Sequence, residues 1–211
     1  MARPRTSGAN ALSTLTDDEL GSAAQRDRRK RILDATITLA SKGGFEAVQM
    51  RAVAEKADVA LGTLYRYFPS KIHLLVSGLA RELERGQERS ERAAVPGDTA
   101  YERLLVVLNR ITRAMQRDPN LTEAMTRAFM FADASASSEV DAVAKLIERM
   151  FTRALHDGES TAEDRAIARV IGDVWLSNLV AWVTRRASAS DVADRLELTV
   201  RLLISDRAER P

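Results

Sequence analysis

Residues 50–68, "MRAVAEKADVALGTLYRYF", hold two short runs of helical apolar spacing on either side of a break at Ala57, Asp58 and Val59. Val53, Ala54 and Ala57 share one face of the first run, and Leu64 and Phe68, four residues apart, share a face of the second. Two helices joined by so tight a turn form a helix-turn-helix, whose first helix crosses a DNA backbone while the second enters the major groove. With Leu64 and Phe68 inward, Thr63, Arg66 and Tyr67 face out. A glycine costs a helix about 1 kcal/mol against alanine, so Gly62 needs a reason, and close approach to a phosphate at the helix N-terminus supplies one. Tyr65 and Tyr67 are able to donate to phosphates, and Lys71, just past Pro69 and Ser70, adds charge. The plainer alternative makes both tyrosines half-buried core residues.

The surrounding segment supports a polyanion partner. Residues 22–71 carry ten Lys/Arg against five acids, a local charge of +5, whereas the whole chain of 211 residues carries only +2. A basic head on a near-neutral body is the footprint of a nucleic-acid binder. Helices are expected over 22–42, 49–56 and 60–66, with Leu39, Val48, Val53, Ala54, Ala57, Val59, Leu64 and Phe68 as a small core between them.

Beyond the head, start and stop signals recur. Capping boxes are expected at Ser22/Gln25, Thr99/Glu102 and Ser160/Glu163, with a looser one at Asn120/Glu123. Stops are expected at Gly43-Gly44, "VPGD" 95–98, "DPN" 118–120 and Gly158. Between them, apolar residues recur at helical spacing and no alternating strand is found. The expected fold is all-α, about nine helices: a flexible segment 1–20, a three-helix helix-turn-helix domain 21–71, and a helical ligand-binding and dimerisation domain 72–211. The segment 167–186, "IARVIGDVWLSNLVAWVTRR", is apolar on two sides and so is wedged between two partners.

Several function classes are set aside by residue supply. The chain has no cysteine and two histidines, leaving no thiolate site, little imidazole, and no expected metal or cofactor. His73, His156 and scattered carboxylates assemble no catalytic constellation, and His156-Asp157 before Gly158 reads as a helix C-terminus. Gly43-Gly44 follows a helix and is a stop, not a phosphate loop. No catalytic residue is assigned. No apolar run approaches the roughly 20 residues that span a bilayer, and "MARPRTSGANALSTL" lacks a signal peptide's apolar stretch; the expected location is the cytoplasm, with no membrane partner.

The stretch "RILDATITLASKGGFEAVQMRAVAEKADVALGTLYRYFPSKIHLL" resembles the N-terminal domain of TetR-type transcriptional repressors, with Gly-Thr-Leu-Tyr and Phe-x-x-Lys in register. Ala60 and Gln49 depart from the family's usual serine or threonine caps. The resemblance implies Arg51, Leu61, Gly62 and Thr63 near bases, with Tyr65, Tyr67 and Lys71 on phosphates and the exposed Arg66 beside them. It also implies a homodimer on a palindromic operator in double-stranded DNA, paired through two helices per subunit; Leu176, Val180, Val183, Leu196, Val200 and Leu203 are the candidates for that interface. The methionines and aromatics of "EAMTRAFMFADA" and elsewhere suit an irregular apolar cavity. Candidate lining residues are Leu104, Leu108, Met115, Met125, Phe129, Met130, Met150, Trp175 and Leu179, with plain core packing as the alternative. Two further stretches, "AMQRDPNLTEAMTRAFMFADASASSEVD" and "DVWLSNLVAWVTRRAS", resemble the family's actinobacterial sterol-catabolism repressors. That implies a steroid-ring coenzyme A thioester as effector, with Arg113, Arg117 and Arg127 as candidates for its charged end. A fatty-acyl thioester or a drug-like hydrophobe is the alternative effector, and a helical interaction protein without DNA is the remote alternative function.

Overall fold

A computed structural model describes residues 17–91, 94–155 and 158–204. Among these, nine α-helices and one 3-10 turn account for the secondary structure: α1 Asp17–Ala47, α2 Met50–Lys56, α3 Leu61–Tyr67, α4 Lys71–Glu91, α5 Ala100–Gln116, α6 Pro119–Met130, α7 Ser137–Leu155, α8 Ala162–Val183 and α9 Ala189–Ile204, with the 3-10 turn at Ala134–Ala136. The expected all-α architecture is present. The segment 1–16, the Ser22 side chain and the pair His156-Asp157 lie outside the described residues.

Chain breaks fall where backbone chemistry requires them. Gly43 and Gly44 leave helical geometry inside α1, and Gly44 takes φ 66°, a left-handed conformation in which a side chain would be strained. The helix-turn-helix turn is closed by Ala57 N donating to Val53 O and Val59 N donating to Ala54 O, with Asp58 at φ 52°; aspartate is among the few residues that tolerate that region. Thr99 and Glu102 form the expected capping box. Three expectations about caps are corrected. α8 is capped by Thr161 and Asp164, each side chain bonded to the other's backbone N–H, while Arg165 donates to the Ser160 carbonyl at 2.6 Å. α6 is capped by Asp118 with Pro119 in its first turn, and Asn120 and Glu123 reach across to α1 instead. Residue 22 lies inside α1, not at its start.

Two apolar cores result. The first runs from the head (Ile32, Leu33, Val48, Val53, Ala54, Leu64, Phe68) through α4 (Leu74, Leu75, Leu79) into α6 and α7 (Ala124, Met125, Ala128, Val143, Leu146). The second lies wholly within the body, joining α5, α7, α8 and α9 around Leu104, Leu108, Phe151, Ile171, Trp175, Leu179 and Val200. α6 makes its broadest contact with α1 rather than with the body helices. By length and composition α8 is apolar enough to cross a bilayer, contrary to the sequence expectation. It packs against α6, α7 and α9, the setting of a core helix with part of its surface open.

Candidate DNA-reading head and ligand cavity

The head presents a mixed surface. Arg51, Gly62, Tyr65 and Arg66 are exposed, Tyr65 by 47%. Leu61 and Tyr67 are half-buried and pack on the first core. The two tyrosines therefore divide the two alternatives between them. Neither Gln49 at α2 nor Ala60 at α3 makes a side-chain capping bond. A side chain built at Gly62 would meet nothing within 4 Å, so nothing in the described residues demands glycine there.

Lys71 sits elsewhere than on an open phosphate-facing surface. Its Nζ lies 3.8 Å from the centroid of the Phe45 ring, and the Arg127 guanidinium lies 4.3 Å from the same ring. Burial lowers the Lys71 pKa below its ordinary value and Arg127 lowers it further, while Glu46 and Glu123 oppose the shift. This junction joins the head to α6. Glu123 Oε2 accepts from Phe45 N at 3.0 Å, Arg127 pairs with Glu46 at 3.0 Å, and Asn120 Nδ2 donates to Ser41 O at 3.1 Å. A second tie lies at the start of α4: His73 Nδ1 is 2.9 Å from Ser70 Oγ, and Nε2 is 3.0 Å from Ser135 O. A carbonyl only accepts, so Nε2 carries the proton.

Within the body lies a cavity of about 120 Å³ lined from five helices: Leu79 and Leu83 of α4, Met115 of α5, Thr126 and Phe129 of α6, Val143 and Ile147 of α7, and Trp175, Leu176 and Leu179 of α8. Trp175 Nε1 donates to Thr112 Oγ1 at 3.1 Å, which fixes the indole. The charged lining residues Glu148, Arg169 and Asp173 are partly or fully exposed and mark the side that opens between α7 and α8.

Of the nine expected lining residues, Met115, Phe129, Trp175 and Leu179 meet at the cavity. Leu104 and Leu108 are buried in the second core, Met125 in the first, and Met150 packs on the second. Met130 is corrected outright, being 54% exposed as the last residue of α6. The arginines expected at a charged end, Arg113, Arg117 and Arg127, line no part of the cavity, whereas Arg169 does. The α9 interface residues are also corrected: Leu196 and Val200 are 3% and 0% exposed and Leu203 packs on the second core, so that stripe faces the chain's own body. The outward apolar pair on α9 is Leu198 and Leu202. On α8, Leu176 faces the cavity, and Val180 and Val183 are half-buried. The missed lining residues Leu79, Val143 and Ile147 have no sequence mark beyond ordinary helical apolar spacing.

Residues 32–77 match the family described as "Bacterial regulatory proteins, tetR family", and residues 97–203 match "Tetracyclin repressor-like, C-terminal domain". The chain is 68% identical over 201 residues to the HTH-type transcriptional repressor KstR of Rhodococcus jostii, covering 95% of this chain and 94% of that protein. A crystal structure of a TetR transcriptional regulator from Rhodococcus sp. RHA1 superposes with a TM-score of 0.80 at 30% identity, over 87% of this chain and 98% of that one. Thermus thermophilus FadR, solved in complex with lauroyl-CoA, shares the fold with a TM-score of 0.62 at 22% identity, over 87% and 96% of the two chains.

Proposed function

The chain belongs to the TetR family as a transcriptional repressor, and from that premise we propose that it is a cytoplasmic homodimer released from a palindromic operator by a steroid-ring coenzyme A thioester. The observation that carries the effector is the 68% identity to KstR, which runs through the ligand domain as well as the head. The cavity is consistent with it, since the lining is mostly apolar while Arg169, Glu148 and Asp173 stand at the open side. The ring system takes the apolar lining, and Arg169 meets the phosphate-bearing end. Arg51, Gly62 and Thr63 meet bases, while Tyr65 and Arg66 hold phosphates. The second copy docks on α8 and α9 through Leu198 and Leu202, exposed on α9, with the half-buried Val180 and Val183 on α8.

The competing effector is a fatty-acyl thioester, the ligand class of the lauroyl-CoA complex of FadR. Calorimetry with a 3-oxo-steroid coenzyme A thioester, lauroyl-CoA and free coenzyme A, paired with operator binding by fluorescence anisotropy, separates the two. The steroid thioester is expected to bind and to weaken operator affinity, with coenzyme A alone inert. Release by lauroyl-CoA without release by the steroid thioester would replace the sterol reading.

A further inference from the structure

The cavity holds one polar group that the protein leaves unpaired. The polar side chains of its lining are Trp175, Thr126 and, at the mouth, Glu148, Arg169 and Asp173. Trp175 is committed to Thr112. Thr126 lies one turn before Phe129 on the inward face of α6 and is 3% exposed. Helical threonines commonly return their hydroxyl to a carbonyl of the preceding turn, and the other buried threonines are all engaged. Thr36 donates to Ile32 O, Thr152 to Arg149 O and Thr122 to Met115 O, while Thr112 accepts from Trp175. The Thr126 hydroxyl alone of these five makes no hydrogen bond among the described residues. Nor is it sealed in. The wholly enclosed, unpaired side-chain atoms of the described residues are two nitrogens of Arg81, so the Thr126 oxygen meets open space, and the space that residue lines is the cavity. A buried hydroxyl without a partner is destabilising, and one placed in an apolar pocket fixes where a ligand's polar atom sits.

Two polar stations with apolar wall between them describe the ligand. The mouth offers charges on α7 and α8, and the interior offers one neutral donor on α6. A fatty-acyl thioester satisfies the first and leaves the second unpaired, whereas a ring system with an oxygen remote from its thioester satisfies both. We propose that Thr126 is the specificity-determining residue of the cavity, donating its hydroxyl proton to a ring carbonyl of the effector. The inference rests on the reading of the cavity as the effector site and deepens it. Ligand pockets run about 300 to 1,000 Å³, against about 120 Å³ here, so binding must move walls apart. Any bulky apolar molecule gains from parting them, and the buried hydroxyl selects among such molecules.

The test is calorimetry of wild type, Thr126→Val and Thr126→Ser. The probes are a 3-oxo-steroid coenzyme A thioester, the same thioester with a ring methylene in place of the carbonyl, and lauroyl-CoA. Valine keeps the shape and removes the hydroxyl, whereas serine keeps the hydroxyl. Wild type is expected to prefer the oxo over the deoxy thioester by about tenfold. Thr126→Val is expected to bring that preference within about twofold of one, and Thr126→Ser to retain it. Equal binding of the two ring thioesters by wild type overturns the proposal and leaves the sterol reading standing, as does a preference that survives in Thr126→Val. If lauroyl-CoA binds wild type and neither ring thioester does, the sterol reading falls and takes the proposal with it; binding of none of the three removes the effector site itself. A second measurement needs no ligand. Thr126→Val is expected to keep or raise the urea midpoint, because it removes an unpaired buried hydroxyl. A clear drop in the midpoint would show that the fold itself uses the hydroxyl, which overturns the proposal.

Discussion

The two apolar cores differ in what they join. The second is local to α5, α7, α8 and α9, whereas the first begins in the helix-turn-helix and ends in the wall of the body cavity. A head that shares its core with the body cannot change orientation without disturbing that core, which is what the proposed effector control needs. The expected division at residue 71 does not divide the packing, since the first core runs across it.

The largest expected effect tests that continuity. Phe68→Ala removes a fully buried ring and should cost about 3 to 5 kcal/mol, with the whole chain melting in one calorimetric transition. Ile171→Ala, in the second core, should cost about 2 to 5 kcal/mol. A separate early transition of the head in the Phe68 variant would break the comparison.

The next effect concerns the head's open surface. Arg51→Ala should lower discrimination between operator and random DNA by about 1 to 3 kcal/mol, whereas Tyr65→Phe should weaken both equally. Competition anisotropy at two salt concentrations distinguishes these outcomes. A uniform loss from Arg51→Ala would move that residue to the phosphate-binding set.

Capping gives a smaller contrast. Body helices α5 and α8 are closed by side-chain boxes, while reading helices α2 and α3 are not. Thr99→Ala should cost about 1 kcal/mol in urea unfolding, and Ala60→Ser should stabilise by up to about 1 kcal/mol. If Ala60→Ser gains stability and loses operator affinity, the uncapped end serves DNA.

The smallest effect is a pH dependence from the body. Backbone N–H groups of Thr99 and Asp98 hold Glu102 below its ordinary 4.5, and Ser188 holds Asp191 below its ordinary 3.8. A depressed carboxylate contributes fully above its unfolded value and loses that contribution as pH falls through the folded one. The urea midpoint should therefore drop below about pH 4.5, and Glu102→Gln should flatten that drop.

The head was legible because its constraints are local. Leu64 and Phe68 fix one face, Asp58 and Ala57 fix the turn, and helix limits came within a residue at α2 and α3. The body was less so, since periodicity tells that a stripe is apolar but not what covers it. Val192, Leu196 and Val200 read equally well as a partner surface or as the inner face of α9. Ser160/Glu163 and Thr161/Asp164 both satisfy the capping spacing, and the structure takes the second, one residue along. The junction left no sequence signal, because Phe45 and Glu123 are 78 residues apart.

The small cavity has a consequence for the threshold of the response. Under the proposed function, the effector meets a protein whose accommodating state is a minority, and apparent affinity falls by the fraction that is open. Each 1.4 kcal/mol of opening raises the half-maximal effector level about tenfold. Traces of metabolite then leave the genes silent, and the set point of the response lies in the packing of α4 and α6 as much as in any contact with the ligand. A substitution that enlarges the cavity, such as Ile147→Ala, would lower that set point without touching a single DNA-facing residue.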